Sequence, residues 1–324
     1  MNNRVTRLSK TFLKQMVLNQ SCMSVVAIFI LFLFGEIIFP GFISFSHVMS
    51  VLRMSVFLGI IALGQTLVVI SGNEGIDLSV GSILSLGVVI SAFILQGENL
   101  RIPIVLIVVP LIGFLLGIVS GAGIAYIGIP PLIMTLAMAS VIEGSSLIIT
   151  KGFPTGNAPP FLEVVGSGRI FEVPYLILLW GVIIVVVSLL LKRTKWGHIL
   201  YGVGANSFTA ELSGINVKRF RMVIYGICGA ISAFGGLLLL SYTGTPYLNL
   251  GVPYLMPSIA AVAIGGISLA GGSGTYLGAV AGCIVLTTLN SILVALQTTE
   301  AMRQIAYGAL LFLLIVAYTR RKSE

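Results

Sequence analysis

Apolar residues fall along this chain in ten runs separated by short polar stretches, near 22–39, 54–71, 79–96, 103–126, 132–149, 174–191, 222–241, 255–268, 276–296 and 304–319. Most approach or exceed the roughly 18 residues that a helix needs to cross a bilayer core. The eighth run is short and follows "YTGTPYLNLGVPY", so it reads as a broken or re-entrant helix. Irregular backbone survives at membrane depth only where protein or water covers its polar groups. The pattern predicts an all-α polytopic membrane protein with about ten transmembrane helices, some of them interrupted.

One polar interruption is unlike the rest. "SGNEGIDLSVGS", residues 71–82, sits between apolar runs and carries Glu74 and the chain's only aspartate, Asp77. "GIDLSVGSILSLG" at 75–87 and "GISLAGGSGTYLG" at 266–278 share seven residues in register. That match predicts an internal repeat. Both stretches face the same side in the predicted topology, so the repeat is parallel. Interrupted helices in duplicated halves often flank the path of a transported solute.

Composition agrees with the pattern: 9% of the 324 residues are charged, against about 25% in a soluble domain. Mean hydropathy is +1.10. The net charge of +8 points to no nucleic-acid partner, because the basic residues follow membrane orientation. With both termini inside, the inner segments hold Arg4, Arg7, Lys10, Lys14, Lys192, Arg193, Lys195, Lys218, Arg219, Arg221, Arg320, Arg321 and Lys322. The outer segments hold Arg53, Arg101, Lys151, Arg169 and Arg303. This bias predicts N-in, C-in. The expected divisions are a cytoplasmic tail over 1–21, a transmembrane domain over 22–319 with a cytoplasmic loop at 192–221, and a short tail over 320–324. Cys22, Cys228 and Cys283 fall in or beside apolar runs without metal-ligand or disulfide spacing. No cofactor is expected.

Within the central loop, Asn206 or Ser207 can cap a short helix, "SFTAELSG", which Gly214 would end. The small residues Ala210, Ser213 and Gly214 would let another protein's backbone approach. Trp196 lies where an interfacial anchor is expected. A capped helix ringed by basic residues suggests a docking surface.

"GIDLSVGS", "GANSFTAELSGINVKRFR" and "AAVAIGGISLAGGSGTYLGAVAG" resemble, in order and spacing, hallmark segments of the permeases of ribose/xylose/galactose/arabinose/autoinducer-2-type ABC importers. The resemblance covers about residues 20–320. It implies a second permease copy or paralogue, a cytoplasmic ATPase with two nucleotide-binding domains, and a periplasmic substrate-binding protein. It also implies that Ala210, Glu211, Leu212, Ser213 and Gly214 form the segment that docks on the ATPase, and a bacterial inner-membrane location. The outer stretches 150–173 and 242–254 would receive the binding protein. Two features depart from the family pattern: the "NE" that lengthens the turn before "GIDLSVG", and a carboxylate, Glu143, where a basic residue is usual.

The chain contains no G-x-x-x-x-G-K-[ST], hence no phosphate cradle of its own. An ion-coupled secondary transporter is the rival class, and it usually needs ionisable residues inside the bundle. Glu143 is the only clear mid-span charge, a candidate for the pathway or a gate. Gln65, Thr66, Asn73, Ser85 and Asn290 are further pathway candidates by polarity and depth. An intramembrane enzyme is excluded by chemistry: Ser273 in "GGSG" lacks a base, since His47 and His198 fall in predicted loops. Gly75, Asp77, Ser79 and Gly81, with Gly271 and Gly272, are expected to form turns at an inner gate. Asp77 would lie near the cytoplasmic face and cap a helix starting at Leu78.

Overall fold

The computed structural model describes residues 20–309 and 312. Residues 1–19 of the first predicted tail, all of the second, the far part of the 304–319 run and the Cys22 side chain lie outside the described residues. So do seven of the inner basic residues, Arg4, Arg7, Lys10, Lys14, Arg320, Arg321 and Lys322.

The described chain is helical apart from a ribbon of two short strands, β1 (Arg169–Ile170) and β2 (Val173–Pro174). The helices are α1 (Gln20–Ile38), α2 (Phe45–Ile70), α3 (Val80–Leu95), α4 (Ile102–Ala122), α5 (Pro131–Thr150), α6 (Pro160–Ser167), α7 (Tyr175–Arg193), α8 (Lys195–Ala205), α9 (Ser207–Leu212), α10 (Val217–Thr243), α11 (Leu255–Ile264) and α12 (Tyr276–Ala295). A further helix covers 300–309. Each predicted apolar run contains a helix, and six helices are long and apolar enough to span a membrane. The apolar parts of α1, α3 and α11 are shorter.

Three helices form the centre, and the shortest of them, α3, is buried along most of its length. The apolar window of α2 is 89% buried and that of α10 is 72% buried, while α4, α5 and α7 form the rim at 22%, 28% and 17%. Lipid tails are as apolar as leucine, so rim helices are held by close backbone contact rather than by hydrophobic exclusion. Gly113, Gly117 and Gly121 line one face of α4 against Gly229, Tyr225 and Met222 of α10. A Cβ at Gly117 would overlap the Tyr225 carbonyl, so only glycine permits this approach.

Polar contacts tie the rim inward. The Trp180 indole N–H on α7 donates to the Tyr276 hydroxyl on α12 at 3.0 Å. That hydroxyl donates in turn to the Gly59 carbonyl of α2 at 2.8 Å. Tyr276→Phe removes the relay and strands a buried N–H. It is expected to cost about 1–3 kcal/mol, measured as a lower unfolding midpoint of the purified protein.

Irregular backbone enters the bundle from both ends. After α10, residues 244–254 turn back inward, and the Gly251 N–H donates to the Ser85 hydroxyl of α3 at 2.9 Å. Ser85 lies roughly 15 Å along α3 from its end at Leu95, so this segment reaches mid-depth. The 10-residue α11 then covers the remaining half. The eighth run is thus a broken span, irregular over its first half, and its helix stops at Ile264 rather than 268. At the other end, residues 71–79 fold back beside α2 before α3 begins.

Candidate functional site

The end of the bundle that carries the 192–221 loop brings most of the sequence-selected residues together. Asp77 is fully buried. Its backbone pairs with one side chain: Gln65 Nε2 donates to the Asp77 carbonyl at 2.9 Å, and the Asp77 N–H donates to Gln65 Oε1 at 3.1 Å. Gln65 lies about 7 Å inside the end of α2. Asp77 is therefore well inside the bundle, not near its face, and α3 starts at Val80 rather than Leu78.

That depth explains the side chains around it. A turn buried away from water has N–H groups that protein must satisfy. The Asp77 N–H goes to Gln65, the Leu78 N–H donates to the Thr135 hydroxyl of α5 at 3.0 Å, and the Ser79 N–H donates to Asp77 Oδ1 at 2.8 Å. The Ser79 hydroxyl also donates to Asp77 Oδ1, at 2.6 Å. The second carboxylate oxygen has no nitrogen or oxygen partner and lies by the Cys228 thiol of α10. Asp77 thus closes the turn before α3, and Gln65 and Thr135 hold that turn in place. Thr135 was not legible in the sequence as part of this site, because it is far from Leu78 along the chain.

The "NE" insertion is the outermost part of the same turn. Gly72, Asn73 and Glu74 all have left-handed backbone, at φ of +77°, +61° and +53°. Asn73 and Glu74 are exposed, Gly75 is buried, and a Cβ on Gly75 would press on the Val68 carbonyl at 2.8 Å.

The second glycine-rich turn, 265–275, lies directly against the first. The Gly272 N–H donates to the Ile70 carbonyl at 2.9 Å, and a Cβ on Gly271 would overlap Gly72. The two matched stretches therefore share a place but not a conformation: Gly81 is helical, whereas its counterpart Gly272 is left-handed at φ +72°. Gly81 packs instead against Gly251 of the irregular half of the broken span.

The 192–221 loop is more ordered than its polarity suggested. Thr194 caps α8, its hydroxyl accepting from the Gly197 N–H at 3.2 Å. The spacing of Trp196, Leu200 and Val203 is the helical signal that reveals α8. Gly204, at its end, is inserted between the two turns, with a Cβ there overlapping the Ile70 carbonyl. Tyr201 donates to the Gly274 carbonyl at 2.8 Å. Arg221 of α10 reaches the Ser71 carbonyl at 3.4 Å.

Helix α9 is capped as the sequence predicts: Asn206 Oδ1 accepts from the Thr209 N–H at 3.0 Å, and Gly214 turns the chain at φ +83°. Ala210 points inward, packed with Val203 and Val217. The outward face is formed by Phe208 and Leu212, 69% and 75% exposed, with Glu211, Ser213 and Gly214 also exposed.

The remaining candidates are dispersed. Thr66 is fully buried, and Ser85 holds the irregular half of the broken span. Glu143 stands on the exposed face of α5, where its Oε1 accepts from the Ser82 hydroxyl at 2.8 Å. Asn290 is half-buried at the other end of α12. His47 lies in the first turn of α2, not in a loop, and its Nε2 is 3.0 Å from the Ser291 hydroxyl. His198 lies in α8.

An apolar helical bundle with half-penetrating segments and an ordered, basic loop at one end defines an integral membrane protein of the transporter class. Residues 47–315 match the family described as "Branched-chain amino acid transport system / permease component". The ribose import permease protein of Haemophilus influenzae is 34% identical over 299 residues, 91% of each chain. That of Bacillus subtilis is 33% identical, over 92% of each chain. The galactose/methyl galactoside import permease protein of Haemophilus influenzae is 31% identical, over 87% of this chain and 90% of its own. No solved structure matches. The chain belongs to this family of transport-system permeases.

Proposed function

We propose that this chain is the permease subunit of an ATP-driven importer of a small sugar in a bacterial cytoplasmic membrane. The observation that carries the reading is the likeness to sugar import permeases over nine-tenths of the chain, 91% for the first of them. In this reading ten helices cross the membrane, and both termini and the 192–221 loop are cytoplasmic. Lys192, Arg193, Lys195, Lys218, Arg219 and Arg221 at the loop end support that orientation.

The chain has no nucleotide-binding motif, so energy comes from a partner ATPase with two nucleotide-binding domains. Exposed Phe208 and Leu212, on a capped helix outside the apolar core, are the surface suited to receive it. Motion of α9 passes through α8 to Gly204, and so to both turns at once. Those turns, with Gly75, Asp77, Ser79, Gly81, Gly271 and Gly272, act as the inner gate. On the other side a periplasmic binding protein delivers the sugar onto 150–173 and 242–254.

Glu143 indicates where a second permease copy or paralogue sits. A carboxylate on the outer face of a spanning helix is costly against lipid. Ser140 and Gly144 extend this non-lipid face of α5, and nothing occupies the space next to Gly144. A second copy facing α5 would enclose the solute path between polar, uncharged groups and Glu143.

The test is reconstitution of the permease in proteoliposomes with its co-encoded ATPase and binding protein. One sugar is expected to stimulate ATP hydrolysis and to accumulate only when ATP is supplied. Accumulation by this chain alone, driven by a proton gradient, would instead establish an ion-coupled secondary transporter.

A further inference from the structure

A cleft of about 330 Å³ lies between α2, the irregular half of the broken span, α12 and the 300–309 helix. It is at the end opposite the 192–221 loop, and its mouth carries Glu300, whose side chain is 54% exposed. The volume falls at the lower end of the roughly 300–1,000 Å³ of small-molecule sites.

The lining combines free hydrogen-bonding groups with no net charge. Asn290 is half-buried, and its amide has no hydrogen-bond partner among the described residues. The Tyr254 and Tyr307 hydroxyls are likewise unpartnered among the described residues, and both rings line the cleft. Neighbouring Thr287 is already engaged, its hydroxyl donating to the Cys283 carbonyl at 2.8 Å. Among the described residues, the one cation and one anion of the lining neutralise each other in the Glu300–Arg303 ion pair. One wall is the irregular segment ending at Tyr254. Such backbone is tolerated at membrane depth where it lines a watered cavity.

We propose that this cleft is a subsite for one uncharged, polyhydroxylated solute in each permease copy. Its hydroxyls exchange hydrogen bonds with the Asn290 amide and the two tyrosine hydroxyls, while a C–H face of the sugar ring rests on an aromatic face. The paired charges leave no fixed counter-charge for an ion or a zwitterion. The solute class rests on the importer reading; the free amide and phenols do not. The solute would thus pause inside a protomer, away from the boundary between two copies.

The experiment uses the purified permease–ATPase complex in nanodiscs, without binding protein. Leu250→Cys places a thiol in the cleft lining, to be labelled by a hydrophilic maleimide. The native Cys228 and Cys283 are buried, and the unsubstituted chain supplies the background. D-ribose and D-galactose serve as sugar probes and L-leucine as the zwitterionic one.

At least one sugar is expected to slow labelling saturably, and leucine to have no effect. Adding Asn290→Ala should raise the half-protecting concentration about tenfold, and Tyr254→Phe, which keeps the ring, about threefold. If Asn290→Ala does not assemble, the tyrosine variant decides. Sugar uptake in complete proteoliposomes without protection here would overturn the subsite and leave the importer standing. Protection by sugar without ATP-driven uptake would overturn the importer and leave the subsite. Protection by leucine, or protection unchanged in both variants, would overturn the subsite.

Discussion

Leu212→Asp is expected to abolish ATP-driven solute uptake while the permease remains folded in the membrane. The side chain is 75% exposed and makes no core contact, so its replacement costs the isolated chain little. On a docking face the same change places a charge where an apolar anchor must be desolvated. Loss of such an anchor is worth about 2–4 kcal/mol, or 30- to 1,000-fold in affinity. The measurement is co-purification of the ATPase with the variant, alongside uptake. Glu211 and Gly214 variants should act in the same direction. Retention of the ATPase by the Leu212→Asp permease would place the docking surface elsewhere.

The second large effect lies one helix away. Gly204→Val is expected to destabilise the permease by about 3 kcal/mol, the upper range for overpacking, and to uncouple hydrolysis from uptake. A Cβ at this position overlaps the Ile70 carbonyl and comes within 2.6 Å of the Gly272 nitrogen. Both obstacles are backbone, so neither can rotate away. Gly202 of the same helix meets nothing within 4 Å, and Gly202→Val, the same replacement without the junction, should change stability by less than about 0.5 kcal/mol. Thermal unfolding of the two variants, with ATP hydrolysis measured beside uptake, separates an effect of the junction from an effect of helix propensity. Equal behaviour of the two would remove Gly204 from the coupling route.

What the sequence revealed and what it concealed follow from the range of the interactions. Run lengths and polarity are local, and they located every apolar helix and the cap of α9. The Asn206 cap and the Gly214 stop are set within a few residues, so they were legible. The depth of Asp77 was not, because it is set by Gln65 and Thr135 on two other helices. Helix α8 was missed because its basic flanks masked the apolar spacing of Trp196, Leu200 and Val203. Ala210 reads from its size as a docking residue, and the structure shows it packed on Val203 and Val217, a contact no local pattern reveals. Glu36 gave no signal beyond its place near a helix end. The structure shows it accepting the Gly41 and Ile43 N–H groups at 3.0 and 2.7 Å, fastening the turn between α1 and α2.

The contact of Gly81 with Gly251 has an electrical consequence. Irregular chain penetrates from both ends of the bundle toward this point, which leaves only a thin layer of regular helix packing between them. A Cβ on Gly251 would overlap the Gly81 carbonyl, and one on Gly81 would sit 2.9 Å from the Gly251 carbonyl. The membrane voltage, worth about 2.3 kcal/mol per unit charge at 100 mV, falls most steeply across such a thin layer. Two bare backbones pressed together are suited to act as a gasket against ion leakage. Gly251→Ala is expected to part them and to raise the ion leak of proteoliposomes that carry the permease.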